Sequence, residues 1–206
     1  PYATQMLGDM GAEVIKVEEP LRGDETRYWP PLWNGVSAHF LPFNRNKKSI
    51  TLNLKNPKAL EICLSLASQS DVLVENFKTD TVERLGLDYK TIQLRNPEIV
   101  YCSISGYGRT GPLANDPGYD LISQGYGGLM SVTGNPEGSP VRTGYSIGDL
   151  FTGMAAYGAI TSALFSRERS GKGQYLETSL LESMVALMSY HATTYFATGT
   201  QPRRLG

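Results

Sequence analysis

Asp71-Val72-Leu73-Val74-Glu75-Asn76-Phe77 reads as a buried strand, an apolar run with two β-branched residues and a charged residue at each end. Upstream, Asn56-Pro57 opens a helix with proline at its first position, and that helix carries Leu60, Leu64 and Ala67 on one face to Ser70. Ser49 to Leu54 alternates as a strand, and an earlier unit places a short helix over Ala3 to Met10, closed by Gly11, before a strand from Glu13 to Glu18. Downstream come short helices over Thr81 to Leu85 and Tyr89 to Leu94, the Asn96-Pro97 break, and a strand from Ile99 to Ser105 that runs into Gly106-Tyr107-Gly108. Strands alternating with helices at this spacing predict an α/β fold with a mostly parallel, doubly wound sheet and flanking helices. In such sheets ligands gather at the carboxyl ends of the strands, which here carry Glu18, Lys55, Asn76-Phe77 and Gly106-Tyr107-Gly108.

The remaining segments differ in texture. Residues 20 to 47 are rich in Pro, Trp, Arg and Asn and read as a long loop, more often functional than idle in a compact domain. The second half predicts a helix from Tyr119 to Met130, a turn over Gly134 to Pro140 and an extended stretch from Val141 to Ile147. A helix apolar all round follows from Leu150 to Phe165, then a strand from Gln174 to Leu176 and a last helix from Leu180 to about Phe196.

Composition excludes several classes. The 206 residues include 19 Lys+Arg and 20 Asp+Glu, a formal net charge of −1, which denies the chain the basic face of a counterion-release nucleic-acid binder. Area scaling gives about 9,500 Å² folded against roughly 33,000 Å² unfolded, so roughly 71% burial and one full core. No apolar run approaches a membrane span, and no basic segment followed by an apolar one opens the chain, so neither insertion nor secretion is supported. Cys63 and Cys102 sit in apolar runs as small hydrophobes, His39 and His191 lie far apart, and no metal site is expected. A reducing compartment fits, the cytoplasm or, in a eukaryote, the mitochondrion. The ends at Pro1 and Gly206 suggest part of a longer protein.

Asp149 is the most suggestive single residue. It follows Gly144-Tyr145-Ser146-Ile147-Gly148 and stands immediately before an apolar helix. One reading makes it an N-cap, its carboxylate accepting N–H bonds from Phe151 or Thr152 for about 1 kcal/mol. The other makes it a nucleophile toward an activated acyl group, its charged form favoured by the helix N-terminus and its approach cleared by glycines at 144, 148 and 153.

Around Asp149 the sequence resembles the family III CoA-transferases, the group that includes formyl-CoA transferase. The resemblance spans the chain and rests on the Ala3–Glu18 segment, Gly23-Asp24 with Thr26-Arg27, and Asn44-Arg45-Asn46-Lys47-Lys48-Ser49-Ile50. It continues through Val74-Glu75-Asn76-Phe77, Arg84-Leu85-Gly86, Ser105-Gly106-Tyr107-Gly108, Gly118-Tyr119-Asp120 and Gly148-Asp149. Each is weak alone, but together and in order they are highly specific. The resemblance implies a Rossmann-like core within an interlocked homodimer, with residues 1–206 as the N-terminal and central part of the large domain and the smaller domain absent. It also implies that Asp149 is the catalytic carboxylate, which would form a mixed anhydride with the acyl group, then an aspartyl-CoA thioester, and pass CoA to a second carboxylic acid. CoA and its thioesters would be substrates, with no permanently bound cofactor. Leu52, Asn53, Leu54, Lys55, Asn76, Phe77, Lys78, Arg84, Gly118, Tyr119 and Asp120 match positions that line the CoA site. Lys55 and Arg84 suit the nucleotide phosphates, or are solvated charges; Phe77 and Tyr119 would pack on adenine or pantetheine, or belong to the core; Asn76 would bond CoA or close its turn. Glu19 departs from members with a basic residue there, and the family's leading CoA-contacting segment and glycine-rich loop have no counterpart in these residues. The Asn44–Ser49 segment and the Tyr-Trp-Pro-rich loop are similar to those of members acting on dicarboxylic acids, without settling specificity.

Three alternatives remain at this level. α-Methylacyl-CoA racemases share the fold but carry a histidine in the step that here reads Gly118-Tyr119-Asp120, so the imidazole base is missing. A dinucleotide-binding module would use Gly106-Tyr107-Gly108-Arg109-Thr110-Gly111, yet Pro112 and Asn115-Asp116-Pro117 deny it the following helix. The third is a non-catalytic subunit.

Overall fold

A computed structural model describes residues 1–205, which sort into two compact units. The first holds Pro1–Val74, Asp80–Cys102 and Tyr157–Leu176; the second holds Glu75–Thr79, Ser103–Ala156 and the chain from Glu177. In chain order the elements are α1 (Tyr2–Asp9), β1 (Val14–Glu18), β2 (Leu32–Trp33), β3 (Val36–Ser37), α2 (Leu41–Asn44), β4 (Lys47–Thr51), α3 (Pro57–Ser68) and β5 (Val72–Glu75). They continue as α4 (Thr81–Leu85), α5 (Tyr89–Arg95), β6 (Val100–Ser105), α6 (Asp120–Tyr126), α7 (Leu129–Val132), α8 (Ile147–Ser170), β7 (Gln174–Ser179), α9 (Leu180–Leu187) and α10 (Ser189–Thr198).

The fold is α/β with parallel pairing and flanking helices, although the strands form separate ladders rather than one sheet. β1 and β4 pair in parallel, from Val14 opposite Lys47 to Glu18 opposite Thr51. β5, β6 and β7 form a three-stranded sheet in that order. The Gln174 N–H donates to the Ile99 carbonyl at 3.1 Å and the Leu181 N–H to the Gly106 carbonyl at 3.0 Å, so β6 and β7 advance in the same sense, as parallel strands do.

Several expected boundaries move for identifiable reasons. β4 ends at Thr51, because the Leu52 N–H turns onto the Glu18 carbonyl at 2.9 Å and residues 53–56 form the turn into α3. The expected helix over 119–130 breaks into α6 and α7: Gly127 packs so closely on Met184 that a side chain there would collide with it, and Gly128 adopts φ +85°. Residues 141–146 carry no strand, and α8 begins at Ile147. Nor is α8 apolar and buried all round: Thr152, Ala156, Ile160 and Ala163 are buried at near-helical spacing, while Met154 and Phe165 are 50% and 62% exposed. The last expected helix divides at Met188 into α9 and α10.

Residues 20–47 are more ordered than a plain loop. They contain a 3₁₀ turn over Glu25–Tyr28, the β2–β3 hairpin and α2, gathered around Glu18 at the end of β1. Buried Glu18 accepts from Arg27 Nε at 2.8 Å and Nη2 at 2.7 Å, from the Asp24 N–H at 2.8 Å and from Ser49 Oγ at 2.7 Å. The Arg27 guanidinium also lies 4.1 Å over the Phe40 ring, tying the 3₁₀ turn to the residues before α2.

The first unit packs on Leu64, Ala67, Val82, Leu87, Ile92, Ile99 and Tyr101, the last donating its hydroxyl to the Leu87 carbonyl at 2.9 Å. In the second unit small polar residues let helices approach closely, with Thr152 Oγ1 donating to Ser183 Oγ at 2.7 Å. The chain exposes 12,610 Å², about a third more than the roughly 9,500 Å² that scaling gives for its size, so the roughly 71% burial expected from length is too high. No helix of the described residues is long and apolar enough to cross a membrane.

The Arg27 pair, above all, pulls the Glu18 carboxyl down to about 2. Since the folded value is depressed, the stability it brings is present above the ordinary glutamate range and lost as pH falls toward 2. Glu18→Gln is expected to cost about 2 kcal/mol at pH 7, less than a fully buried broken pair because solvent reaches Arg27, and the deficit narrows below about pH 4. Urea midpoints measured from pH 3 to 7 check this; an unchanged midpoint at pH 7 would remove Glu18 as the organiser of the segment.

Candidate functional site

The second unit brings Asp149 and Asp120 to one place and gives them opposite surroundings. Asp120 is the first residue of α6, and its Oδ1 accepts the Gly148 N–H at 2.8 Å, meeting one of the unpaired donors that begin α8. Its Oδ2 accepts from Gln124 Nε2 at 2.7 Å. Buried Gln124 in turn accepts the Thr143 N–H at 3.0 Å through Oε1, which joins the 141–146 segment to the same helix start. Asp120, expected among the residues lining CoA, thus spends both carboxylate oxygens within the protein. Gly148 is required by this closeness, because a Cβ there would lie 2.8 Å from Ser123 Oγ and 3.0 Å from Asp120 Oδ1.

Asp149 lies inside the first turn of α8, and none of the described residues hydrogen-bonds its side chain. The N-cap reading is therefore corrected: the carboxylate that meets this helix start is Asp120. The expected preference for the charged form is corrected as well. Asp149 is open to solvent at its edge, yet the protein around it desolvates the carboxyl, and this effect, followed by the negative charge of Asp120, pushes it up to about 6.

A second cluster of the same unit stands where β5 ends. Asn76 donates Nδ2 to the Ile104 carbonyl at 2.7 Å, so one amide hydrogen closes the turn while the side chain remains exposed. Phe77 is 42% exposed and Tyr119 66% exposed, which removes the core reading for both. Lys78 is exposed beside them in sequence. Gly118 meets Gly106 backbone to backbone, where a Cβ on either would collide with the other. That crossing is a structural requirement for both glycines.

Leu52, Asn53, Leu54, Lys55 and Arg84 belong to the first unit. Leu52 is buried beneath the turn, where Asn53 Oδ1 accepts the Lys55 N–H at 3.1 Å and leaves the exposed Lys55 ammonium without a partner among the described residues. Arg84, also exposed, donates among the described residues to the start of its own helix, to the Asp80 carbonyl at 3.2 Å and to Thr81 Oγ1 at 3.3 Å.

Sequence reasoning missed the group that fixes the β5 terminus: Glu75, Ser103 and Arg109. Arg109 Nη2 donates to Glu75 Oε1 at 2.7 Å and Oε2 at 3.0 Å, Arg109 Nε to Ser103 Oγ at 2.7 Å, and Ser103 in turn to Glu75 Oε1. The available signal was a glutamate ending a buried-type strand, which needs a cation somewhere in the chain.

The rival chemistries find little here. The glycine run 106–111 is followed by turns, and no helix begins before Asp120, so no helix N-terminus meets a dinucleotide phosphate there. His39 packs edge-on against Trp29 at 6.4 Å between ring centres, and the His191 ring lies tilted against Tyr190 at 4.0 Å.

The chain belongs to CoA-transferase family III, whose model matches residues 1–206. It is 47% identical to a succinyl-CoA:glutarate CoA-transferase of Mus musculus over 100% of this chain and 48% of the relative. It is 43% identical to a succinate–glutarate CoA-transferase of Agrobacterium fabrum over 100% of this chain and 53% of the relative. The crystal structure of a CAIB/BAIF family protein from Brucella suis superimposes with a TM-score of 0.96 at 42% identity, covering 100% of this chain and 56% of that one. The chain therefore spans about half the length of the curated relatives it matches.

Removing the Asp120 charge while keeping an acceptor for Gly148 isolates the second cause of the Asp149 shift. In Asp120→Asn, the Asp149 carboxyl followed by carbon-13 NMR is expected to titrate below about 6 but above the ordinary aspartate value, because burial remains. A titration identical to wild type would show that the two carboxylates do not sense one another.

Proposed function

We propose that this chain carries the nucleophile and part of the CoA-binding surface of an enzyme that moves CoA from an acyl-CoA thioester to a carboxylic acid. The observation that carries the proposal is the solvent-accessible Asp149 carboxylate on the first turn of α8, which takes no side-chain hydrogen bond among the described residues and whose capping duty has passed to Asp120. Family membership over the whole chain supports the reaction class. In this reading residues 1–206 are the N-terminal and central part of the enzyme's large domain.

An Asp149 oxygen attacks the thioester carbonyl and the C–S bond breaks, giving an acyl-aspartyl anhydride and CoA thiolate. The thiolate attacks the Asp149 carboxyl carbon, releasing the donor acid as its carboxylate and leaving an aspartyl-CoA thioester. The acceptor carboxylate then attacks that thioester, and the returning thiolate takes the acceptor acyl group, freeing Asp149. No net proton, redox equivalent or nucleotide is consumed, because each step exchanges one activated acyl bond for another. CoA enters and leaves as substrate, and the scheme needs no resident cofactor.

Lys55 and Arg84 supply exposed cations for CoA phosphates, Phe77 and Tyr119 supply exposed rings for adenine or pantetheine, and Asn76 keeps a carbonyl oxygen for the ligand. A dicarboxylic acceptor is favoured, since relatives at 47% and 43% identity carry names with succinyl and glutarate groups. A homodimer is part of the same proposal: exposed Met154 and Phe165 on α8 and Trp33 on the β2–β3 hairpin offer apolar surface for a second copy.

Wild-type protein is expected to show a covalent adduct by mass spectrometry after succinyl-CoA is added, and Asp149→Ala is expected to abolish both that adduct and CoA transfer. Retained transfer would remove Asp149 as nucleophile. Since attack needs the carboxylate, wild-type turnover should rise through about pH 6 and level off above it. Stability runs the other way: a raised folded value means the fold binds the proton more tightly, so Asp149 costs stability above about 6, a cost relieved toward the unfolded value near 3.8. Asp149→Asn should therefore unfold at a higher temperature than wild type at pH 7.5, with the gap closing near pH 4; a lower temperature at pH 7.5 contradicts the desolvated carboxylate.

A further inference from the structure

We infer that Arg109 is a positioning residue for the ligand-binding turn after β5, acting through the Phe77 peptide; the inference rests on the CoA-transfer reading of this site. The Phe77 N–H donates to Glu75 Oε2 at 2.9 Å, and the Phe77 carbonyl accepts from Arg109 Nη1 at 2.8 Å. Glu75 and Arg109 are joined at 2.7 Å with side chains 4% and 13% exposed, so one ion pair grips both polar groups of that residue. Further donors of the guanidinium go to Ser103 Oγ at 2.7 Å and the Ile104 carbonyl at 3.3 Å, while the Arg109 N–H donates to the Glu177 carboxylate.

This arrangement turns most of the guanidinium's donors onto the protein itself. Its effect is to hold the backbone of Phe77 while the ring, 42% exposed, points free of the core. Ile104 is the common anchor: its carbonyl accepts from both Arg109 Nη2 and Asn76 Nδ2, so the Asn76 amide and the Phe77 backbone are fixed against the same end of β6. An exposed turn would otherwise sample several conformations, and fixing it before the ligand arrives lowers the ordering cost of binding. Arg is required rather than Lys, because acceptors on four residues are met from one planar fork.

The test measures CoA binding by calorimetry, and steady-state KM and kcat with succinyl-CoA, for wild type, Arg109→Lys, Arg109→Met, Phe77→Ala and the Arg109→Met/Phe77→Ala double variant. Wild type is expected to bind CoA, and Arg109→Met to weaken binding and raise KM about tenfold with kcat within about twofold. Arg109→Lys should recover only part of this, and the double variant should lose no more than the worse single variant, since both act on the same turn. Variants are compared below their melting temperatures, and Glu75→Gln/Arg109→Met, which removes the buried charges together, replaces Arg109→Met if that protein does not fold. Wild type that fails to bind CoA overturns the CoA-transfer reading itself. Wild-type binding with an unchanged KM in the Arg109 variants, full recovery by Lys, or losses that add in the double variant overturn the positioning role alone.

Discussion

A carboxylate buried at the end of a parallel strand is the constraint around which much of this chain is organised. Glu18 closes β1 and Glu75 closes β5, and each is met in the same way. A serine on the neighbouring strand donates to one oxygen, Ser49 for Glu18 and Ser103 for Glu75. A backbone N–H from the following loop donates to the other, Asp24 and Phe77 respectively. An arginine brought back by a loop closes the charge, Arg27 in one unit and Arg109 in the other. Burying an unpaired carboxylate costs several kcal/mol, so each loop must return far enough to deliver its cation. The glutamates thereby dictate loop conformations that strand propensity says nothing about.

This explains which parts of the architecture are legible in the residues. The β5 run, the Asn56-Pro57 helix start and the Asn96-Pro97 break are local signals, and the elements they mark appear within a residue or two. The interruption at Gly127-Gly128 and the start of α8 depend on partners far along the chain, Met184 and Asp120. Helix periodicity continues through both points, so a window of neighbouring residues cannot find them. The segment 20–47 reads as a loop for the same reason: its order comes from Glu18 and Phe40, not from repeating apolar positions.

The candidate site is legible to a similar depth. Family motifs single out Asp149, Asn76, Phe77 and Tyr119, and the structure leaves all four side chains exposed. What the motifs omit is the division of labour. Arg109 sits in a run whose letters imitate a phosphate loop, yet its guanidinium is bound to Glu75, Ser103 and the backbone. Asp120 sits in a motif matched to ligand contact, yet both its oxygens serve the protein. Residue type at a matched position does not reveal whether its hydrogen-bonding capacity is already spent.

Asp120 and Asp149 show how much that accounting matters. Both are aspartates at helix beginnings, where the terminus favours a negative charge. Asp120 takes the bonds and stays tied to Gly148 and Gln124; Asp149 takes none and is left partly desolvated beside a like charge. A carboxylate held by several donors is a poor nucleophile, because its lone pairs are engaged and its negative charge is already stabilised. Desolvation, followed by the Asp120 charge, raises the Asp149 carboxyl to about 6 with no donor to pull it back, still low enough to be ionised at neutral pH and less stabilised than an ordinary solvated aspartate. The donor that Asp149 leaves unmet at the start of α8 is met by Asp120 instead, so one acid takes up the helix terminus while the other keeps its oxygens free of protein donors.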